Sequence, residues 1–273
     1  MSGDARGTRT TLETDADRYD AWYDSPKGRV LLASEVACLR FLLLRFSKPY
    51  LEVGVGTGRF AQALGIGYGA DPSPPALKKA RQRGIEVALG VGEALPFKNT
   101  SFGAVLVAFT LCFVKDPPTV MREIHRVLVA GGGLILGLLL KGTPWADRYE
   151  ERGRAGDPLY RTAHFHSHGE VEAMLKERRF RITGYGSTLF QPPGREVYEL
   201  EESIDGYVPG AGFVAIAAVK DGKPQGGGGP GLHSGPGTET RPAALRRYVS
   251  QGSSSTAISR DPNGNFEGTG FVF

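Results

Sequence analysis

Leu51-Glu52-Val53-Gly54-Val55-Gly56-Thr57-Gly58-Arg59-Phe60 joins a short apolar run, beginning at Pro49, to three alternate glycines. A second apolar segment follows, carrying Phe60, Leu64 and Ile66. The order reads as strand, glycine-rich turn, helix. Glycine accepts positive φ and lets a ligand approach the main chain closely. The start of the following helix adds unpaired N–H groups. The spacing is G-x-G-x-G, whereas the dinucleotide fingerprint is G-x-G-x-x-G, and Arg59 stands where its third glycine would fall. Glu52, at the strand's end, can accept hydrogen bonds from a cationic amine and is a poor neighbour for pyrophosphate.

Downstream, strand and helix patterns alternate. Tyr68 to Ala70 reads as a second strand with Asp71 at its carboxyl end. An acid there holds a ribose diol in doubly wound folds. Asp71 is equally a helix N-cap before Pro72, Ser73, Pro74 and Pro75, although Ser73 can cap as well. Ile85 to Leu89 and Phe102 to Phe109 read as strands, the latter apolar throughout and so buried on both faces. Asp116-Pro117-Pro118 opens a helix whose core face is Val120, Ile124, Val127 and Leu128. Gly131 to Gly133 read as its end, and Gly133 to Leu140 as the fifth strand. Phe180 to Phe190 and Ala211 to Val219 are the remaining strand patterns. The alternation predicts an α/β doubly wound, Rossmann-like and mostly parallel sheet with helices on both faces.

Before the glycine turn, Lys27 to Phe46 has helical spacing, and Tyr19, Trp22 and Tyr23 crowd among acids ahead of it. Those aromatics suit either a helix packed on the body or a lid over a ligand. Residues 141–168 leave the alternation and gather Trp145, Arg148, Tyr149, Arg152, Tyr160 and Arg161. Ser167 with Glu170 has the form of a capping box. His164, His166 and His168 alternate just before it, without cysteine or acid partners at a metal-site spacing, and no metal is expected.

Several ordered segments together resemble the small-molecule branch of the class I S-adenosylmethionine-dependent methyltransferases, which includes ubiquinone- and menaquinone-pathway enzymes. They are E-V-G-V-G-T-G-R-F at 52–60, G-A-D-P-S at 69–73, G-E-A-L-P-F at 92–97, S-F-G-A-V at 101–105, L-C-F-V-K-D-P at 111–117 and R-E-I-H-R-V-L at 122–128. Y-D-A-W-Y near the N-terminus and T-P-W at 143–145 are similar too, and the likeness covers about residues 18 to 220. It implies seven strands with the last antiparallel, S-adenosyl-L-methionine as cofactor, and a substrate-covering insertion at 141–168. It also implies site roles. Glu52 would sit near the methionine end, Gly54 and Gly56 would make the close turn, and Asp71 would hold the ribose. Gly92 and Glu93 would flank the adenine, Phe109 and Thr110 would line the floor, and Tyr19 and Tyr23 would close over the cofactor. His164, His166 and Tyr149 are general-base candidates by location only. Two places depart from the pattern. Val129-Ala130-Gly131-Gly132 replaces the family's Lys-Pro-Gly-Gly, and Val91 stands where an acid is frequent. Adenine recognition would therefore rest on backbone N–H groups and Glu93.

The 273 residues suffice for one such domain, and a net charge of +4 spread along the chain does not argue for nucleic acid. The partner expected is a small-molecule substrate; a rival reading is an NAD-dependent oxidoreductase, another a non-catalytic cofactor- or RNA-binding module. Cys38 and Cys112 lie in apolar segments and read as buried reduced thiols. The polar Met1 to Asp17 has no apolar signal region, and no apolar run is long enough to span a membrane, so the expectation is a cytoplasmic protein. Residues 1–17 read as a flexible arm, 18–223 as the domain with a lid at 18–46, and the Gly/Pro/Ser-rich 224–273 as a disordered tail, with a marginal hairpin at Asn263-Gly264.

Overall fold

The computed structural model describes residues 16–221. Nearly all of the expected arm, and all of the expected tail with its hairpin, lie outside the described residues.

Two helices come first, α1 (Ala16–Asp24) and α2 (Pro26–Leu43). The alternation then runs β1 (Tyr50–Val53), α3 (Arg59–Leu64), β2 (Tyr68–Asp71), α4 (Pro74–Gln82), β3 (Glu86–Leu89), β4 (Phe102–Ala108), α5 (Pro117–Val127), β5 (Leu128–Leu138). After it come α6 (Pro144–Arg154), a 3-10 turn (Tyr160–Thr162), α7 (His168–Glu177), β6 (Phe180–Thr188), β7 (Ile204–Asp205) and β8 (Phe213–Lys220). Helix starts follow one chemistry. Ser25, Ser73, Asp116 and Thr143 each accept a backbone N–H of the first turn, and each precedes a proline that cannot donate there. Ser167 and Glu170 form the expected capping box on α7.

The strands make one eight-stranded sheet in the order β3-β2-β1-β4-β5-β8-β6-β7. The strands β1 to β5 are parallel, and β8 runs antiparallel to both β5 and β6. Alternate strand residues feed two cores. Ala104, Leu106, Ile135, Phe213 and Ala215 face the α2 side with Leu39 and Leu42. Val105, Val107, Leu134, Leu136 and Ile216 face Ile124, Val127 and Leu175 of α5 and α7. Burial on both faces is why these strands read as unbroken apolar runs.

The structure corrects the expected elements in three places. Gly131 to Gly133 do not end α5; the helix stops at Val127 and the glycines lie within β5. A side chain on Gly133 would come 2.5 Å from the Phe46 ring, so close passage under Phe46, not helix termination, requires the glycine. The expected sixth strand ends at Thr188, because Leu189 turns with φ +60°. Besides the seven implied strands there is an eighth, β7, whose two residues pair with Gly186 and Ser187 at the sheet edge.

Candidate active site

The strand order reverses between β1 and β4, and in such sheets ligands lie outside the carboxyl ends of the strands at that point. The glycine turn sits there. Gly54 N and Val55 N both donate to Ala70 O, at 2.8 and 3.1 Å, tying the turn to β2. Gly54 has φ +76°, and a Cβ there would lie 2.1 Å from Thr110 Oγ1; both demand glycine. Thr110 Oγ1 donates to Ala108 O at 3.0 Å and reaches Gly54 O at 3.4 Å, which holds the floor loop against the turn. Gly56, at φ +51°, is different: a Cβ there meets nothing within 4 Å, so the main chain faces open space. Asp71 braces it, with Oδ2 accepting from Gly56 N and Oδ1 from Ser73 N, both at 2.9 Å. Burial raises the proton affinity of Asp71, and those two N–H groups pull it partly back. Ser73 does cap α4, and each Asp71 oxygen keeps lone pairs for a further donor.

Glu52 is 2% exposed and its Oε2 has no hydrogen-bond partner. Burial pushes its carboxyl well above the usual range; the Ala61 backbone N–H offsets part of this and the nearby Asp71 charge adds to it. An orphaned buried acid, an open backbone and a braced aspartate fit a ligand with a cationic amine at one end and vicinal hydroxyls at the other.

Above the turn lies an aromatic array. The Tyr19 and Tyr23 hydroxyls are 3.1 Å apart. Tyr23 meets Phe60 edge-on at 6.2 Å between centroids, Phe60 meets Phe109 at 5.7 Å, and Phe109 meets Phe213 at 5.2 Å. From the other side, Tyr149 of α6 packs on Tyr160 at 4.5 Å, with the Arg152 guanidinium 4.8 Å from the Tyr160 ring. Burial raises the Tyr23 phenol most, and the Tyr149 phenol adds to it. Burial pushes the Tyr149 phenol up to about 12, with Glu35 adding to it. Burial also raises Tyr160, with the Tyr149 and Tyr19 phenols adding to it.

Helix α1 is latched to the turn by ions. Arg59 Nε lies 2.8 Å from Asp20 Oδ1, and its two terminal nitrogens grip Asp24 at 2.7 and 2.8 Å. Arg83 reaches both Asp20 oxygens at 3.0 Å and Thr57 O at 2.7 Å. Thus the residue standing where a dinucleotide fold needs glycine anchors α1 over the turn. Burial works against the charge on Asp20, but the Arg59 and Arg83 hydrogen bonds outweigh it and hold its carboxyl below the usual carboxylate range. Replacing Asp20→Asn should therefore loosen α1 by about 1.5–3 kcal/mol, the scale of hydrogen bonds to charged groups. Hydrogen exchange at residues 16–24 should quicken at least tenfold while strand amides stay protected. Because the folded value is depressed, the latch is complete above about pH 4 and weakens as pH falls further. Unchanged exchange in the variant would show that the ions do not hold α1.

Gly92 and Glu93 lie on the connection between β3 and β4. Gly92 sits beside Val120, 3.2 Å from where its Cβ would be. Glu93 Oε1 accepts from Lys115 N and Asp116 N at 3.0 and 3.3 Å, so this carboxylate bridges the β3–β4 connection to the start of α5. His164 and His166 lie 4.9 Å apart, His164 N donating to Cys112 O at 2.8 Å and His166 lying beside Cys112 and Phe109, and burial keeps His166 neutral to lower pH than usual. His168 stacks on Tyr207 at 4.0 Å. Of the three base candidates, only Tyr149 is in the array. Both cysteines are free, Cys38 buried and Cys112 partly so. No described helix is long and apolar enough to cross a membrane.

Fold and site together define a class: a doubly wound sheet with an acid-flanked G-x-G-x-G turn, an aspartate at the end of the second strand and an aromatic array beside the turn. The comparisons agree. The family described as "Methyltransferase domain" matches residues 51–136. An uncharacterized protein of Mycobacterium tuberculosis is 56% identical over 205 residues, 75% of this chain and 72% of that protein. An uncharacterized protein of Methanocaldococcus jannaschii is 36% identical over 207 residues, 75% of this chain and 96% of that protein. A crystal structure from Thermotoga maritima, described as an S-adenosylmethionine-dependent methyltransferase, possible histamine N-methyltransferase, aligns with TM-score 0.72. It is 33% identical and covers 78% of this chain and 100% of that one. The chain belongs to the S-adenosylmethionine-dependent methyltransferases, and S-adenosylmethionine is its cofactor.

Proposed function

We propose that this chain methylates a small-molecule acceptor, by direct in-line displacement, in the space between α1 and residues 144–162. When bound, S-adenosylmethionine supplies a methyl group already activated on a sulfonium. The protein's part is then to hold, orient and exclude water. Glu52 and the Gly54–Gly56 turn hold the amino-acid end, and Asp71 holds the ribose. Phe109 and Thr110 line the floor, and the backbone at Gly92 borders the adenine. The observation that carries this reading is the unbroken chain of aromatic contacts that runs from Tyr19 and Tyr23 of α1 through Phe60, just after the glycine turn, to Phe109. Aromatic walls suit a flat or apolar acceptor and stabilise cationic charge at their faces. The Thermotoga maritima relative is named for an amine acceptor, which puts nitrogen nucleophiles first in any screen.

The test is a metabolite panel scored for S-adenosylhomocysteine production. Two structural readouts accompany it. S-adenosylhomocysteine should protect residues 18–25 and 143–163 together in hydrogen exchange. Tyr19→Ala should lower turnover at least tenfold while shifting Tm by only a few degrees. Independent protection of the two segments, with turnover intact in the variant, would reduce these aromatics to packing.

A further inference from the structure

Glu35 sits on the buried face of α2, among Leu31, Cys38, Leu39 and Leu42. It is 5% exposed, and its Oε2 is enclosed without a hydrogen-bond partner among the described residues. This face of α2 belongs to the core cluster that holds Tyr23 and has Tyr149 packed against it, and the titratable groups that feel the Glu35 charge are Tyr19 and Tyr23 from α1, Tyr149 from α6, and Cys38 one turn along its own helix. None of them is cationic at neutral pH. Burial alone sets its proton affinity, well above that of an ordinary glutamate. A purely structural acid in this place would still want a partner for its buried oxygen, whether protonated or not. Tyr19 and Tyr23 bond to each other instead. The acid therefore lies buried on the face of α2 that packs with Tyr23 and Tyr149, and its Oε2 is left without a partner there.

We propose that Glu35 is the recognition acid of the acceptor site, and that the acceptor is a primary or secondary amine carried on a flat or apolar body. The assignment rests on the methyltransferase reading above. A phenolate or enolate acceptor would be repelled by Glu35, and an alcohol leaves its charge unmatched. An ammonium matches the charge, fills the orphaned oxygen's hydrogen bond and meets the ring faces of Tyr19, Tyr23 and Tyr149. The proton balance closes. On binding, the carboxyl of Glu35 loses its proton to solvent and pairs with the ammonium. One N–H proton then passes to the carboxylate, which frees the nitrogen lone pair. The nitrogen bonds to the methyl carbon as the carbon–sulfur bond breaks, and that bond's electron pair stays on sulfur. Methylated ammonium and S-adenosylhomocysteine leave, Glu35 is again protonated, and each turnover has released one proton.

The probes are phenethylamine, histamine and N-methylphenethylamine against neutral 2-phenylethanol, titrated calorimetrically into the full chain saturated with S-adenosylhomocysteine. At least one amine should bind tenfold or more tightly than the alcohol. Its heat should vary with buffer ionisation enthalpy as proton release at pH 7 requires. In Glu35→Gln the preference should vanish, while affinity for S-adenosylhomocysteine stays within twofold. Should that variant not fold, proton release in the unaltered protein, and its loss in Glu35→Asp, decide the matter. Equal affinity for amine and alcohol, no binding by any of the amines, no proton release, or a preference that survives Glu35→Gln overturns the proposal. S-adenosylhomocysteine binding without amine binding would remove the acceptor assignment and leave the methyltransferase reading standing; failure to bind S-adenosylhomocysteine would remove the reading beneath it.

Discussion

Gly56→Val should abolish S-adenosylmethionine binding, with affinity falling more than a hundredfold in calorimetry while the far-ultraviolet helical signal persists. Two effects combine. The residue has φ +51°, a region that a β-branched side chain enters only with strain of about 1–3 kcal/mol. That cost falls on folding and should lower Tm by about 2–4 °C per kcal/mol in a domain of this size. The larger effect is steric. No atom beyond its chain neighbours lies within 4 Å of a Cβ at this position, so the valine side chain projects into the space before the turn. Gly56→Ala separates the two: it carries similar backbone strain with a smaller obstruction, so its Tm should resemble that of valine while its affinity is intermediate. Full affinity in Gly56→Val would mean that the ligand approaches the sheet elsewhere.

The parts of this fold that could be read in the sequence are those fixed by local chemistry. Ser73-Pro74 and Asp116-Pro117 announce helix starts because a short polar side chain caps and proline cannot donate. The run from Phe102 to Ala108 announces a strand because both its faces are buried. Features decided by distant partners were hidden. Gly131 to Gly133 look like a terminator until Phe46, far back in the chain, is laid over them. The strand β7 is two exposed residues that pair only because β6 offers an edge. The same division holds in the site. Glu52, Gly54, Gly56 and Asp71 lie on one strand–turn–helix–strand unit and could be picked out together. The latch of Asp20, Arg59 and Arg83 joins three elements, and nothing local marks it. Glu93 looked like a ligand-facing acid, yet its carboxylate is engaged by the backbone at Lys115 and Asp116. Glu35 did leave a signal that went unread: an acid one turn after Leu31 and one before Leu39, inside an apolar helical stripe.

Asp71→Ala should weaken S-adenosylmethionine binding by about 1.5–3 kcal/mol, the scale of charge-assisted hydrogen bonds left unmade. That is roughly 10- to 150-fold in affinity. The geometry makes the cause twofold. Asp71 is braced against Gly56 N and Ser73 N, so its removal also frees two backbone N–H groups and slackens the turn. The ribose share is isolated by a cycle with a 2′-deoxy analogue of S-adenosylhomocysteine. The unaltered protein should favour the ribose ligand about tenfold, and Asp71→Ala should bind both ligands alike. The pH dependence has a definite sign. Burial raises the folded value of Asp71, and the hydrogen-bonding form is the carboxylate. Ribose preference should therefore be full near neutral pH and fade as pH falls, beginning above the ordinary aspartate value of about 3.9. A preference that survives in Asp71→Ala would assign the residue to bracing the turn alone and leave the ribose to other groups.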